Sequence, residues 1–253
     1  MKVLVACEES QAVCKAFREL GHYAFSCDIQ ECSGGHPEWH IMDDVLKVIN
    51  PKHSKCKNME TGKIFDWMRV EFMTCDGIAH CFDGKWDLII AHPPCTYLSV
   101  SGNRWFDVDR YGQKAIDRQR ERERAAEFFM KFVNADCEHI AIENPIGYMS
   151  THFRKPSQII QPWMFGDNHS KSTCLWLLGL PALVPEVKDK PELEWYEWDD
   201  AKTGRHKRQP LWYYKAFANA KTQKERARLR SKTFPGIARA MAEQWGGICN
   251  GME

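Results

Sequence analysis

Residues 2–28 read KVLVACEESQAVCKAFRELGHYAFSCD, which is an apolar run, a helical pattern and a second apolar run in succession. The first run, 2–7, has the length of a buried strand, and 11–20 repeats apolar residues at helical spacing before Gly21. The second run ends in Asp28. A strand, a helix and a strand in this order predict a parallel βαβ unit. We therefore predict an α/β fold with a doubly wound, mostly parallel sheet.

Further apolar runs of strand length extend the predicted sheet: WDLIIA at 86–91, HIAI at 139–142 and CLWLL at 174–178. The first of them leads into Pro93 and Pro94, which cannot continue a central strand, so the chain must leave the sheet at that point. A long amphipathic helix is predicted over 113–134. Its RQRERER stretch favours a solvated face of paired charges over a binding site.

The chain is predicted to divide into one α/β domain and a small basic appendage. The α/β domain spans 1–180 and includes an inserted hairpin at about 51–85, where Asp76-Gly77 is a turn signal. The appendage is a basic and aromatic segment at 181–232, and a closing helix at 233–253 packs back on the domain. Formal charge is balanced overall, at +1, but eleven Lys and Arg against one acid fall between residues 201 and 232.

No apolar run approaches the roughly 20 residues of a membrane helix, and the first strand is too short for a signal-peptide core. Eleven cysteines scattered through apolar segments are typical of a reducing compartment. We therefore expect a cytoplasmic protein without a membrane partner, and we expect it to be a monomer.

Chemically useful residues follow several of the predicted strands. In a doubly wound sheet, ligands bind beyond the carboxyl ends of the strands. An acid such as Asp28 suits ribose hydroxyls, and Asp43 or Asp44 could accept from an adenine amine. The alternative is that these acids only cap or solvate strand ends. Ser10, in the first turn, can cap the first helix.

Cys95 comes directly after the two prolines and close to His92. Most cysteines are small buried hydrophobic residues, which is the simpler interpretation. A thiol at a loop start, with a carboxylate on a neighbouring strand end, is however what nucleophilic attack on an electrophilic ring requires.

The segments DLIIAHPPCTYLS, at 87–99, IAIENP, at 140–145, and KSTCLWLLGLP, at 171–181, together resemble the DNA cytosine-5 methyltransferases of the compact phage and prophage type. The resemblance covers nearly the whole chain in motif order. It implies a Rossmann-like class I S-adenosylmethionine-dependent methyltransferase fold, with 1–180 as the catalytic domain and 181–232 as a short target-recognition segment. It also implies a phage or prophage origin.

The resemblance assigns catalytic roles to residues of this chain. Cys95 would add to carbon 6 of a cytosine, and Glu143 would hold the protonated ring nitrogen 3, its proton affinity raised by a closed pocket. Asn144 would brace the turn at Pro94, and Lys171 lies near the place of a supporting arginine.

The loop after the nucleophile would close over a flipped base, because the chemistry cannot occur inside a stacked duplex. Ser99 and Ser101 are the contacts expected from this loop.

The implied cofactor is S-adenosylmethionine, or a modified form of it. The residues expected to bind it are Ala6, Cys7, Glu8, Ser10, Asp28, Asp43, Asp44 and His92. The family's first turn carries glycines that let the backbone approach the cofactor's amino-acid end, whereas this chain has Ala-Cys-Glu-Glu-Ser at 6–10.

The implied partner is DNA, double- or single-stranded. In the basic segment, positive charges alternate with aromatic residues, which suits phosphates and stacked bases. The residues expected to contact DNA there are Arg205, Lys207, Arg208, Trp212 and Lys215. The alternative for KTQKERARLR, at 221–230, is a solvated helical face.

Two other functions stay open at the sequence level. The short recognition segment also fits an enzyme acting on a free pyrimidine nucleotide, and the missing glycines fit a DNA-binding relative without catalysis. Cys27, Cys32, His36 and His40 are spaced loosely like metal ligands, but structural zinc sites more often contain a Cys-x2-Cys pair. We therefore predict no metal site.

Overall fold

The computed structural model describes residues 1–248, apart from the side chain of Lys224. Its strands are β1 (Lys2–Ala6), β2 (Tyr23–Asp28), β3 (His40–Met42), β4 (Lys52–Lys57), β5 (Ile64–Met73), β6 (Ala79–Asp83), β7 (Leu88–Ala91), β8 (Ile140–Pro145), β9 (Gln158–Ile160), β10 (Thr173–Leu178), β11 (Trp195–Asp199) and β12 (His206–Pro210). Its α-helices are α1 (Ala12–Glu19), α2 (Val108–Tyr111), α3 (Gln113–Val133), α4 (Met149–His152), α5 (Leu211–Asn219), α6 (Gln223–Ser231) and α7 (Pro235–Trp245).

Seven strands form the central sheet, in the order β3-β2-β1-β7-β8-β10-β9. The first five in this order are parallel, and β10 runs antiparallel to both of its neighbours. After β3 the chain crosses back to the other side of β1, so the strand order reverses between β1 and β7. The predicted α/β fold with a mostly parallel sheet is confirmed, and the reversal is the place where such sheets bind ligands.

Both faces of the sheet are covered, which explains why its strands are continuously apolar in sequence. Alternate side chains of β1, such as Leu4, belong to a core cluster that includes Phe129 and Phe132 of α3. The intervening side chains, such as Val3, belong to a second cluster that includes Phe17 of α1 and Trp245 of α7. Because the core is built on both faces, the carboxyl edge of the sheet stays open.

The first helix begins differently from the expectation. Ser10 was expected to cap it, but the Ser10 hydroxyl lies 3.5 Å from the nearest helical N–H, at the limit of a hydrogen bond. The Glu8 carboxylate accepts instead from the N–H groups of Val13, at 2.7 Å, and Cys14, at 3.2 Å. A carboxylate is favoured at this end of a helix by the helix dipole.

The inserted segment at 51–85 contains the predicted hairpin, formed by β5 and β6, and a third antiparallel strand, β4. Phe72 packs its ring edge against Phe25, at 4.8 Å between centroids, which attaches this small sheet to the core. The sequence of β4, KHSKCK, has almost no apolar side chain to bury, so its pattern gave no strand signal.

The segment at 181–232 contains a two-stranded hairpin, β11 and β12, followed by α5 and α6. Helix α7 then packs on the sheet as expected of the closing segment, of which 249–253 lie outside the described residues. In the part of the chain that is described, no helix combines the length and the apolar character needed to span a bilayer.

Candidate active site

A cleft of about 1550 Å³ opens at the carboxyl edge of the sheet, where the strand order reverses. The turns that follow β1, β2 and β7 and the last three residues of β8 contribute to its wall. Residues 170–172 and helix α6 also line it. The cleft therefore brings most of the strand-end residues singled out in the sequence into one site.

Cys95 lies in this cleft, two residues beyond the buried Pro93, and is exposed to it. The Asn144 side chain, itself buried, donates to the Pro93 carbonyl at 2.8 Å across the neighbouring strand end. The Cys95 carbonyl accepts from the N–H groups of Leu98, at 3.0 Å, and Ser99, at 3.1 Å. These contacts hold the cysteine at the start of a tight turn, and the Asn144 contact is the one expected from the sequence.

His92 and Glu143 form a buried pair beside Cys95. The His92 ring and the Glu143 carboxylate approach to 2.7 Å, and their side chains are only 9% and 13% exposed. Burial lowers the pKa of His92, but the hydrogen bond to Glu143 and the charges of Glu143 and Glu8 outweigh it, so the pKa is raised. The direction of this shift favours the proton on the histidine of this pair.

The Glu143 carboxyl does not have the raised proton affinity that we predicted. Burial does raise its pKa, but the positive charge of Lys171 and the hydrogen bond from His92 outweigh burial, and the net direction is downward. The predicted direction is therefore wrong. The two shifts together favour a protonated His92 beside an ionised Glu143, one hydrogen bond away.

Burial and charges of both signs act on the Cys95 thiol, and its pKa is raised overall. Desolvation by the cleft walls raises its pKa first, and the negative charge of Glu143 raises it further. Lys171 and Arg230 lower it. Because the thiolate is the nucleophile, these two cations are the groups that favour attack.

The loop after Cys95 is fastened to the loop after β8. The N–H of Tyr148 donates to the Leu98 carbonyl at 2.7 Å, and the N–H of Val100 donates to the Ile146 carbonyl at 3.2 Å. Gly147 lies between these contacts, and a Cβ atom built on it would stand 1.9 Å from the Leu98 oxygen. Only glycine allows the two loops to approach this closely.

Replacing Gly147 with alanine is expected to push the two loops apart and displace Cys95 relative to Glu143. A displacement of about 1 Å can cost a reaction about 100-fold in rate, so for a catalytic role of this cleft we expect turnover to fall by that factor. Steady-state kinetics measures the loss, and Gly247→Ala is the matched control because no heavy atom lies within 4 Å of its added Cβ. Equal activity of the two variants would show that the loop contact is dispensable.

Two arginines of α3 also hold the loop after Cys95. The Arg118 guanidinium donates to the Thr96 carbonyl at 3.0 Å, and that of Arg122 donates to the Tyr97 carbonyl at 3.1 Å. The RQRERER stretch was predicted as a solvated face, which holds for other arginines of this stretch, such as Arg124. The four-residue spacing of Arg118 and Arg122 was the available signal that both face the same way.

The turn after β1 adopts glycine-like geometry without glycine. Cys7 and Gln11 both lie in the left-handed region, at φ 60° and 58°. This conformation costs a residue with a side chain about 1–2 kcal/mol. The buried Gln11 side chain donates to the carbonyl of His36 at 2.8 Å and accepts from its N–H at 3.1 Å, which holds the turn in place.

The residues predicted to bind the cofactor divide into two groups. Those that line the cleft are Cys7, Glu8, Ser10, Asp28 and His92. Those that do not are Ala6, buried in β1, Asp43, paired with Lys47 at 2.6 Å, and Asp44, which accepts from the Leu46 N–H at 3.0 Å. Glu9, which follows β1 but received no role from the sequence, is also a buried carboxylate in the wall of the cleft.

The residues predicted to bind DNA divide in the same way. Those in the wall of the cleft are Ser99, Ser101 and Trp212. Arg205, Lys207, Arg208 and Lys215 lie elsewhere on the appendage; Lys207, for example, pairs with Asp200. The basic residues of the appendage that do line the cleft are Arg226, Arg228, Arg230 and Lys232. From sequence alone, residues 221–230 fit either a solvated helical face or a DNA-binding surface.

Among residues 1–248 we find no group of three His, Cys, Asp or Glu side chains that could hold a metal ion. In the cluster weighed from sequence, His40 bonds to the Ser26 hydroxyl at 2.9 Å and the Gln30 carbonyl at 2.8 Å. His36 stacks on Trp39 at 3.8 Å between centroids. Both rings therefore have local structural partners.

No protein-family model matches this chain, and no curated protein matches it. The chemistry of the cleft therefore carries the functional assignment.

Proposed function

We propose that this protein is a DNA cytosine-5 methyltransferase that uses S-adenosylmethionine and acts through covalent addition of Cys95 to a flipped cytosine. The observation that carries the proposal is the placement of an exposed thiol next to a buried His92–Glu143 pair, in a cleft that continues to a basic helix. A nucleophile, a proton store and an anion-binding wall are the three elements that this reaction needs.

The topology of the sheet supports the proposal. If the seven strands of the central sheet are renumbered 1 to 7 in chain order, their spatial order is 3-2-1-4-5-7-6. The seventh strand, β10, lies antiparallel between the fifth, β8, and the sixth, β9. This differs from the dinucleotide-binding order 3-2-1-4-5-6 by the inserted last strand. The sheet is therefore compatible with the Rossmann-like fold that the resemblance implies.

The β1 edge of the cleft fits the proposed cofactor. Asp28 closes β2 inside the cleft, where its carboxylate suits ribose hydroxyls, and the left-handed turn at Cys7 opens the backbone next to it. When bound, the cofactor supplies an electrophilic methyl group. Asp43 and Asp44 are not part of this assignment, because neither lines the cleft.

The residues of the chain account for the proton and bond changes at the base. The Cys95 thiolate, favoured by Lys171 and Arg230, forms a bond to carbon 6, and nitrogen 3 takes the proton of the His92–Glu143 pair, which Glu143 relays from His92. Carbon 5 thereby becomes nucleophilic and would take the methyl group of the cofactor, which would leave as S-adenosylhomocysteine. Loss of the carbon 5 proton to water then allows the Cys95–carbon 6 bond to break and the ring to regain its double bond, and nitrogen 3 returns its proton through Glu143 to His92.

The cleft favours a polynucleotide over a free pyrimidine nucleotide. Helix α6 presents arginines on the wall facing the catalytic edge, and guanidinium groups bind phosphates well. The Arg226 guanidinium also stacks on Phe217 at 3.8 Å from the ring centroid, which fixes its position. A free nucleotide has no further phosphates to reach this helix.

Nucleoside mass spectrometry tests the proposal directly. DNA is isolated from a host without its own cytosine methylation, with and without expression of the chain, and we expect 5-methylcytosine or a heavier carbon 5 adduct only with expression. Purified protein is then given DNA or free dCMP with the cofactor. Modification of dCMP alone would favour the free-nucleotide enzyme, and binding of DNA without any modification would favour a non-catalytic module.

Replacing Arg226 with glutamine is expected to weaken DNA binding and to reduce the salt dependence of the binding constant by about one counterion. Lys207→Gln is the contrasting variant, because Lys207 lies outside the cleft and is already paired with Asp200. Fluorescence anisotropy across a salt series measures both slopes. A larger change of slope for Lys207→Gln would place the DNA-binding surface on the β11–β12 hairpin, where the sequence predicted it.

A further inference from the structure

Glu9 is a buried carboxylate that the proposed base chemistry does not use. Its side chain is 7% exposed and lies in the wall of the cleft, at the turn after β1. Within residues 1–248, neither carboxylate oxygen of Glu9 accepts a hydrogen bond. A buried carboxylate without hydrogen bonds is costly, so its retention in the cleft points to a ligand that supplies donors.

Glu9 forms an ion pair with a residue of the appendage. The Nε atom of Arg228, on α6, lies 3.4 Å from one Glu9 oxygen. Arg228 is about half exposed, so its guanidinium also presents donors to the cleft. A carboxylate and a guanidinium from different parts of the chain therefore line the same cleft side by side.

We propose that Glu9 and Arg228 form a clamp for the amino-acid end of the methyl donor, with Glu9 receiving its ammonium group and Arg228 its carboxylate. The proposal rests on the proposed function, because the donor is the ligand that carries a zwitterion. Inserting the zwitterion converts one loose ion pair into two charge-assisted ones, and it gives the Glu9 oxygens the N–H donors that they lack.

The clamp assigns a second role to α6. The helix that faces the nucleic acid also contributes Arg228 to the donor site, so the donor would hold the appendage against the sheet domain. Lys171, whose ammonium group donates to the Arg230 carbonyl at 3.4 Å, fastens α6 to the catalytic edge in the same region.

Calorimetry with two ligands separates the clamp from a merely structural ion pair. The probes are S-adenosylhomocysteine and its decarboxylated analogue, which keeps the ammonium group and lacks the carboxylate. We expect the native chain to prefer S-adenosylhomocysteine by about 10- to 100-fold, and Arg228→Gln to abolish that preference by weakening only this ligand. Glu9→Gln should weaken both ligands.

Controls keep the result interpretable. Arg124→Gln removes a solvent-exposed arginine that pairs with Glu121 on α3, and it should leave both affinities unchanged. Arg228→Lys keeps the positive charge and should retain part of the preference. Thermal melting of every variant verifies that the fold is intact.

The outcomes distinguish the clamp from the function on which it rests. A native chain that binds neither ligand would overturn the proposed cofactor and the clamp together. A native chain that binds S-adenosylhomocysteine as tightly as Arg228→Gln does, with or without a change in melting temperature, would leave the proposed function standing and reduce the Glu9–Arg228 contact to a structural ion pair.

Discussion

Replacing Cys95 with alanine is expected to stop methylation of DNA cytosine, lowering turnover by at least about 10⁴-fold. The thiol is the group that forms a bond to the ring in the proposed reaction, so its removal leaves no nucleophile at this position. The Asn144 side chain donates to the backbone carbonyl of Pro93, and this contact does not involve the Cys95 side chain. The geometry of the site should therefore survive the substitution.

The same variant has a direct structural readout. DNA containing 5-fluorocytosine should trap the native protein as a covalent adduct, because fluorine at carbon 5 prevents the elimination that releases the cysteine. Denaturing electrophoresis should show the adduct with the native chain and with Cys75→Ala, which removes another exposed cysteine, but not with Cys95→Ala. An adduct that persists without Cys95 would assign the nucleophile to a different residue.

The fold could be predicted from the sequence where a single physical rule dominated. The runs that became β1, β7 and β10 are continuously apolar because both faces of the sheet are covered. A short run of this kind indicates a buried strand without a conflicting polar pattern. The strand β4 is polar and exposed, and it is paired only because β5 lies next to it. Its sequence contained no indication of that neighbour.

The site could be predicted less completely, because charge depends on distances that sequence spacing does not give. Cys95, Asn144 and Glu143 were placed together because they follow neighbouring strands. The direction of the Glu143 pKa was predicted wrongly, since burial was visible in the apolar strand but the opposing charges of His92 and Lys171 were not. Those two residues reach Glu143 from different segments of the chain.

The DNA-binding residues of the appendage could also be predicted only in part. Its basic excess was evident from composition, but composition does not show which basic residues already have acidic partners. Lys207 lies opposite Asp200 on the hairpin, whereas Arg226 stacks on an aromatic ring beside the cleft. Pairing on the hairpin and stacking on the helix thus decide which of the positive charges can serve a phosphate backbone.

Replacing Glu143 with glutamine is expected to have two opposite effects on one site. Turnover should fall by about 10³-fold, because glutamine cannot pass a proton from His92 to the ring nitrogen. The Cys95 thiol should become more reactive towards a small alkylating agent such as iodoacetamide. The negative charge of Glu143 raises the pKa of Cys95, and glutamine removes that charge while keeping the size of the side chain.

The pH dependence of alkylation gives the sign of this effect. Alkylation speeds up as pH rises through the pKa of the thiol, since only the thiolate reacts. The midpoint of the Cys95 profile should therefore move to lower pH in Glu143→Gln. In Lys171→Gln it should move to higher pH, because the lysine charge lowers the pKa of this thiol.

These opposed shifts separate a catalytic carboxylate from a structural one. A Glu143 that only held the strand end in place would, on replacement, lower methylation and leave the alkylation midpoint where it was, or broaden it through local unfolding. Loss of methylation together with faster alkylation requires an intact site in which the charge of Glu143 acts on Cys95. Mass spectrometry of the alkylated peptide containing Cys95, sampled across pH, measures this for the native chain and both variants.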